Sequence, residues 1–156
     1  SSSFLAGVCS SSQVLLQFIS LWRSKPAHAI KREILNEAAI LSVIDMIEKM
    51  KRHPRFREVG MILTHTGIVR GHSRDGRPVS EVEVRADLQS LEKVIGEMKA
   101  RPGIVEILAE VREGRLRVGE EIMNVAVAGD IRENVFAALV DTVNRIKAEV
   151  TRKTEF

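Results

Sequence analysis

Between Lys51 and Arg77 the chain carries seven basic residues, Lys51, Arg52, Arg55, Arg57, Arg70, Arg74 and Arg77, against two acids, Glu58 and Asp75. Such a local excess favours an anion, although a solvated surface with loop charges gives the same count. Arg70 is the member hardest to read as surface decoration. It ends an uncharged run and opens a glycine-bearing loop that also holds His72, and a loop at the end of a rigid strand is where a guanidinium meets a phosphate or carboxylate. A second candidate lies near the C-terminus. Phe136 and Lys147 are eleven residues apart, so on a helix they differ by only about 20°, placing the amine beside the stripe Phe136, Leu139, Val140 and Val143. Desolvation there would lower the amine's pKa and make Lys147 a nucleophile or general base. The plainer alternative is a stem laid on apolar surface with its ammonium in water. Lys153, beside Arg152 on a polar tail, reads by composition as solvated.

Other chemistries lack support. The chain has no glycine-rich phosphate loop, dinucleotide fingerprint, nucleophile elbow or helical histidine pair, so no cofactor is expected. His28, His53, His65 and His72 lie in four different local settings and Cys9 is the one cysteine, which speaks against a metal site and excludes an internal disulfide framework. With 4% aromatic residues and no tyrosine, stacking platforms for single-stranded nucleic acid are poorly supplied. The net charge of +3, from 24 basic and 21 acidic residues, is too small to establish nucleic-acid or membrane binding.

The elements that must position these residues follow from patterning. At 156 residues, 44% hydrophobic and 29% charged, the chain has globular composition and room for one domain. Residues 1–30 begin serine-rich and nearly uncharged and are left unassigned, as a disordered or non-native extension; the domain is expected over 31–156. The apolar run Val14 to Trp22 is far shorter than the roughly 18–20 residues of a membrane span, and its first charge, Arg23, follows rather than precedes it, unlike a secretory signal. A cytoplasmic protein is expected. Apolar residues spaced by three and four predict helices over about 36–52 and 87–100. Val59 to Val69, uncharged and β-branched, predicts a central strand covered on both faces. Val79, Val82 and Val84 predict a half-exposed strand that could pair with it as a hairpin. Strands are expected at Ile104 to Val111 and Glu121 to Ala128, then a last helix capped by Asp130 and running to about Val150. The order α, β, β, α, β, β, α predicts an α+β domain with helices packed on a mixed or antiparallel sheet.

Val59 to His72 with its charged turn resembles the strand and loop of the large, catalytic subunit of molybdopterin synthase. Leu116 to Ile122, the strand to Ala128, then Arg132, Phe136, Lys147 and Lys153 follow the order of that family's C-terminal half. The resemblance covers about Val59 to Glu155. It implies an α/β-hammerhead-like fold and a homodimer, within a heterotetramer, that binds a ubiquitin-like small subunit. That partner's C-terminal Gly-Gly thiocarboxylate would donate sulfur to cyclic pyranopterin monophosphate, forming molybdopterin. Carried over by position, Lys147 is the main catalytic lysine and Lys153 the second, while Arg70, His72 and Arg132 bind substrate or the partner's tail. The chain departs from the family where Ile131 replaces a usual histidine, where His65 replaces an aromatic, where an aromatic-Pro-Gly stretch gives way to Arg85-Ala86-Asp87-Leu88, and where the segment between the two lysines is one residue shorter. Two other readings compete: a non-catalytic homodimeric relative that docks a ubiquitin-like partner, and a nucleic-acid-binding domain using the basic run.

Overall fold

A computed structural model describes residues 41–156. The extension expected over 1–30, the start of the domain at 31 and the first turns of the helix expected from 36 lie outside the described residues. Helix α1 (Val43–Lys51) begins where the Ser42 hydroxyl accepts the Asp45 amide at 3.2 Å, a side-chain cap for one of the amides a helix start leaves unpaired. Met46 and Met50, one turn apart, are buried on it. They pack against Ala126 and Ala128, whose short side chains let the helix approach closely. The helix ends before Pro54, and a short 3-10 turn (Phe56–Glu58) follows.

The first sheet contains β1 (Met61–Ile68), β3 (Ile104–Val111) and β5 (Glu121–Gly129), in the order β1-β5-β3 with both pairings antiparallel. Helix α1 covers one face. Helices α2 (Leu88–Lys99) and α3 (Arg132–Arg145) cover the other, where Leu91, Val94, Met98, Val135 and Ala138 meet Val125 and Val127. The central strand is therefore β5, buried from Met123 to Gly129. The uncharged run Val59 to Val69 forms β1 as expected, but β1 is an edge strand. Its lack of charge has two local causes: Ile62 packs into the α1 cluster while Met61 and Leu63 pack into the α2–α3 core, and its last residues wall a cavity.

The second sheet contains β2 (Glu81–Ala86), β4 (Gly114–Arg117) and β6 (Thr151–Glu155) in the order β4-β2-β6, again antiparallel. Val69, Val79, Val82, Val84 and Leu116 form its core. The hairpin expected between β1 and β2 does not form. β1 spends its pairing on β5 along its whole length, and the chain then crosses to the other sheet, held at the exit by the Val69 amide donating to the Glu120 carbonyl at 2.9 Å. The α+β class stands, with every strand pairing antiparallel.

Local chemistry sets the remaining joints. Asp87 caps α2, accepting the Gln89 and Ser90 amides at 3.1 and 3.2 Å. Gly103 then turns the chain with φ of 78°, a conformation that L side chains resist; a Cβ there would also stand 2.2 Å from Asn134 Nδ2. The expected cap of α3 is displaced by one residue. Ile131 occupies the cap position without a side-chain bond, and Asp130 accepts the Ile131 amide at 2.6 Å and the Asn134 side-chain amide at 2.9 Å, bonds that hold its carboxyl below the usual range. The last helix is α-helical only to Arg145; Ile146–Val150 is a π turn, closed by the Thr151 amide donating to the Ile146 carbonyl. No helix among the described residues is long and apolar enough to cross a membrane.

Candidate functional site

The two sheets and the loop joining β1 to β2 wall a cavity of about 760 Å³. Arg70, Lys147 and Lys153 all line it, brought together from three separate elements. Arg70 enters from the end of β1, where burial of the neighbouring Val69 in the second sheet's core fixes the backbone that carries it. Lys147 enters from the π turn, between Ile146 and Val150, whose side chains are 0% and 2% exposed. Lys153 enters from β6, opposite Val84 of β2.

Lys147 reaches the cavity by a route other than the expected one. A wheel of 100° per residue places it beside Phe136 and Val140, yet those two are 53% and 56% exposed while only Leu139 and Val143 of the stripe join the core, so the residues nearest it on the wheel offer no apolar cover. A π turn is wider than an α turn, which changes the direction of side chains beyond Arg145, and Lys147 is an exposed residue facing the cavity. His72 and Arg132 are not brought to it. His72 is exposed in the loop with its backbone bridged to Pro78, and Arg132, the first residue of α3, is exposed and paired with Glu133 at 3.2 Å.

Among the lining residues not selected from the sequence are Arg74, Arg77 and His65. The first two were counted only as members of the basic run. The loop that carries them is braced from within, since the Ser73 hydroxyl donates to Asp75 at 2.5 Å, accepts the Arg77 amide at 2.9 Å, and leaves Asp75 to pair with the Arg77 guanidinium at 2.7 Å. These bonds hold the Asp75 carboxyl below its ordinary value. Lys153 is likewise paired, with Glu155 at 2.9 Å. Arg70, Arg74 and Lys147 have no ion-pair partner among the described residues, which leaves three open cations in a concave site. That arrangement suits an anionic ligand with charge to place near each.

His65 is the histidine of this wall. Burial, and then the charge of Lys147, push its imidazole below the usual histidine value, so the ring is neutral at pH 7. Its Nε2 is buried without a hydrogen-bond partner. The signal for it was a histidine in an uncharged strand, two residues before Gly67 and therefore on the same face. Among the described residues no three His, Cys, Asp or Glu side chains gather closely enough to hold a metal ion.

Comparison with known proteins adds the following. Residues 37–149 match the profile of the family described as MoaE protein. A probable molybdopterin synthase of Haloferax volcanii is 27% identical over 127 residues, covering 78% of this chain and 49% of that protein; the chain thus spans about half the length of that relative. Among solved structures, molybdopterin cofactor biosynthesis protein E of Burkholderia multivorans is similar with a TM-score of 0.60 at 23% identity, covering 73% of this chain and 80% of the other. A complex of subunits 1 and 2 of molybdopterin-converting factor from Helicobacter pylori contains a chain similar with a TM-score of 0.57 at 16% identity, covering 74% and 78%. At these identities the structural likenesses establish the fold.

Proposed function

The chain belongs to the MoaE protein family, and from that premise we propose that it is the large subunit of a molybdopterin synthase acting in the cytoplasm. Its part in molybdenum cofactor biosynthesis is then sulfur transfer from the C-terminal Gly-Gly thiocarboxylate of a ubiquitin-like small subunit to cyclic pyranopterin monophosphate. The observation that carries this reading is the convergence of Arg70, Lys147 and Lys153 on one cavity. Both reactants are anions, and both need cationic walls.

In this reading Arg70 holds the substrate's phosphate through its forked guanidinium. The thiocarboxylate sulfur attacks a substrate carbon that carries oxygen, and as the carbon–sulfur bond forms the carbon–oxygen bond breaks, the oxygen leaving as water or as the freed phosphate oxygen; water then adds to the tail's carbonyl, the acyl–sulfur bond breaks, sulfur stays on the substrate and the tail leaves as a carboxylate. Two such transfers supply the two sulfurs of the dithiolene. Lys147 stabilises the oxyanion that develops when water adds, a task for a preplaced cation, and Lys153 is the second catalytic lysine, its ammonium steadied by Glu155. The expected assembly is a homodimer within a heterotetramer, in line with the two-subunit complex described for the Helicobacter pylori protein. His72 and Arg132 receive no role within the cavity of a single chain.

The test is a single-turnover reaction of the purified chain with a thiocarboxylated small subunit and cyclic pyranopterin monophosphate, followed by detection of molybdopterin. Product supports the synthase. Absence of product, with small-subunit binding confirmed separately, overturns it in favour of a non-catalytic relative that docks the same partner.

A further inference from the structure

Two buried side-chain polar atoms lack a partner among the described residues, His65 Nε2 and Asn124 Oδ1, and of these two residues only His65 lines the cavity. An unpartnered polar atom shielded from water is unfavourable unless something in the working state pairs with it. Which partner would suit it follows from the surroundings. The charged groups around the cavity are Lys147 from the π turn, the Lys153–Glu155 pair from β6 and, from the loop, Arg70, Arg74 and the Arg77–Asp75 pair. Both carboxylates are engaged, and the lysines and arginines are donors without acceptor capacity. In so positive a surrounding the imidazole is better placed with its Nε2 lone pair toward the cavity and its proton on Nδ1, because a lone pair is attracted by the cations and an N–H is repelled.

We propose that His65 is a substrate-contacting, specificity-determining residue whose Nε2 lone pair accepts a hydrogen bond from an N–H donor on the heterocycle of the bound substrate. The inference rests on the reading of the cavity as the pyranopterin site. A phosphate offers acceptors only and satisfies the cations; a reduced pterin ring also carries N–H groups, and among the wall groups that can accept one, the Thr66, Ser73 and Thr151 hydroxyls included, His65 Nε2 is the atom left buried without a partner. Access depends on two neighbours. Gly67 also lines the cavity, and a Cβ there would lie 3.6 Å from Nε2 and 3.1 Å from Met123 Cγ, so a side chain at this position would cap the nitrogen. Met123 lines the cavity beside Gly67 with its unbranched side chain packed into the core, a shape that adapts to a neighbouring ring.

The experiment compares the full chain with His65→Phe, which keeps a flat ring without the acceptor, and His65→Gln, whose side-chain oxygen accepts but does not titrate. With the thiocarboxylated small subunit present, His65→Phe is expected to raise KM for cyclic pyranopterin monophosphate about tenfold with kcat changed less than about twofold, and His65→Gln to recover most of the loss. In the parent chain KM should rise as the pH falls through the depressed value of the folded His65, below the ordinary histidine range, because protonation removes the lone pair that accepts the hydrogen bond; in His65→Phe that rise should be absent. A parent-like KM and pH dependence in His65→Phe overturns the inference. Should His65→Phe fail to fold, nitrogen NMR of the parent decides: a His65 Nε2 resonance unmoved by saturating pterin overturns it, and a shift toward the hydrogen-bonded state supports it. Should the parent make no molybdopterin, direct titration with the pterin separates the two ideas. Binding weakened by His65→Phe retains the contact while sulfur transfer fails, whereas no binding to the parent overturns both.

Discussion

The basic run divides into two stretches of opposite fate. In the first, at the end of α1 and the 3-10 turn, Lys51 pairs with Glu48 at 2.8 Å, Arg55 with Glu58 at 2.6 Å, and Arg52 donates to the Glu48 carbonyl at 3.1 Å. These are exposed pairs between near neighbours in sequence. In the second, Arg70 and Arg74 line a cavity without ion-pair partners among the described residues, and Arg77 shares its guanidinium with an acid that also braces the loop. A count of charges treats both stretches alike. What separates them is placement: none of the four cations of the first stretch lines the cavity, although Arg52 and Arg57 also lack an ion-pair partner among the described residues, whereas an unmatched cation in a recess can turn its hydrogen bonds on a ligand.

The largest test of that contrast is Lys147→Ala, which should lower single-turnover molybdopterin formation about a thousandfold while leaving the thermal transition and small-subunit binding in place. Normal turnover would remove Lys147 from the chemistry. Arg70→Ala should weaken binding of cyclic pyranopterin monophosphate about tenfold to a hundredfold, measured by titration at fixed salt, with Arg70→Lys recovering only part because an ammonium lacks the fork.

A smaller effect concerns pH and stability. Because the folded His65 titrates below its ordinary value, protons bind the unfolded chain first as the pH falls. Its contribution to stability is complete above about pH 6.5 and declines as the pH drops below that, through the window down to the depressed folded value. Denaturant midpoints measured between pH 7.5 and 5.5 should show this decline in the parent and not in His65→Phe. The smallest effect sharpens the contrast from its other side. Arg55→Ala removes a paired surface cation, and both turnover and the denaturant midpoint should stay within experimental error; a clear loss of substrate binding would show that the first stretch also serves the site.

What the sequence revealed, and what it concealed, follows the same division between local and distant causes. Helix α2 was legible to within a residue because Asp87, the spacing of Leu91, Val94 and Met98, and the Pro102-Gly103 stop are all local signals. β3 and β5 were legible for the same reason. β4 and β6 were not. β6 reads Thr-Arg-Lys-Thr-Glu, without one apolar residue, and becomes a strand because β2 offers it a pairing edge, a tertiary cause that outweighs propensity. The missing hairpin is a related error, since proximity in sequence suggested a pairing that β5 took instead. In the site, Arg70 could be chosen from its place at the end of an uncharged strand. Lys147, singled out from its wheel position beside Phe136, lines the cavity by a different route, because a uniform helical wheel cannot represent the widened turn at Ile146. His65 carried no motif; its interest lies in an unpaired nitrogen, which only three-dimensional packing discloses.

That widened turn has an evolutionary side. A π turn amounts to an α-helix that has accepted one additional residue, and here it carries Lys147 and ends three residues before Lys153. Ile146 and Val150 remain anchored in the core on either side, so an insertion or deletion between them can be absorbed by widening or tightening one turn without disturbing α3 or β6. A change of one residue in the spacing of Lys147 and Lys153 can thus be taken up locally, while α3 and β6 keep their places.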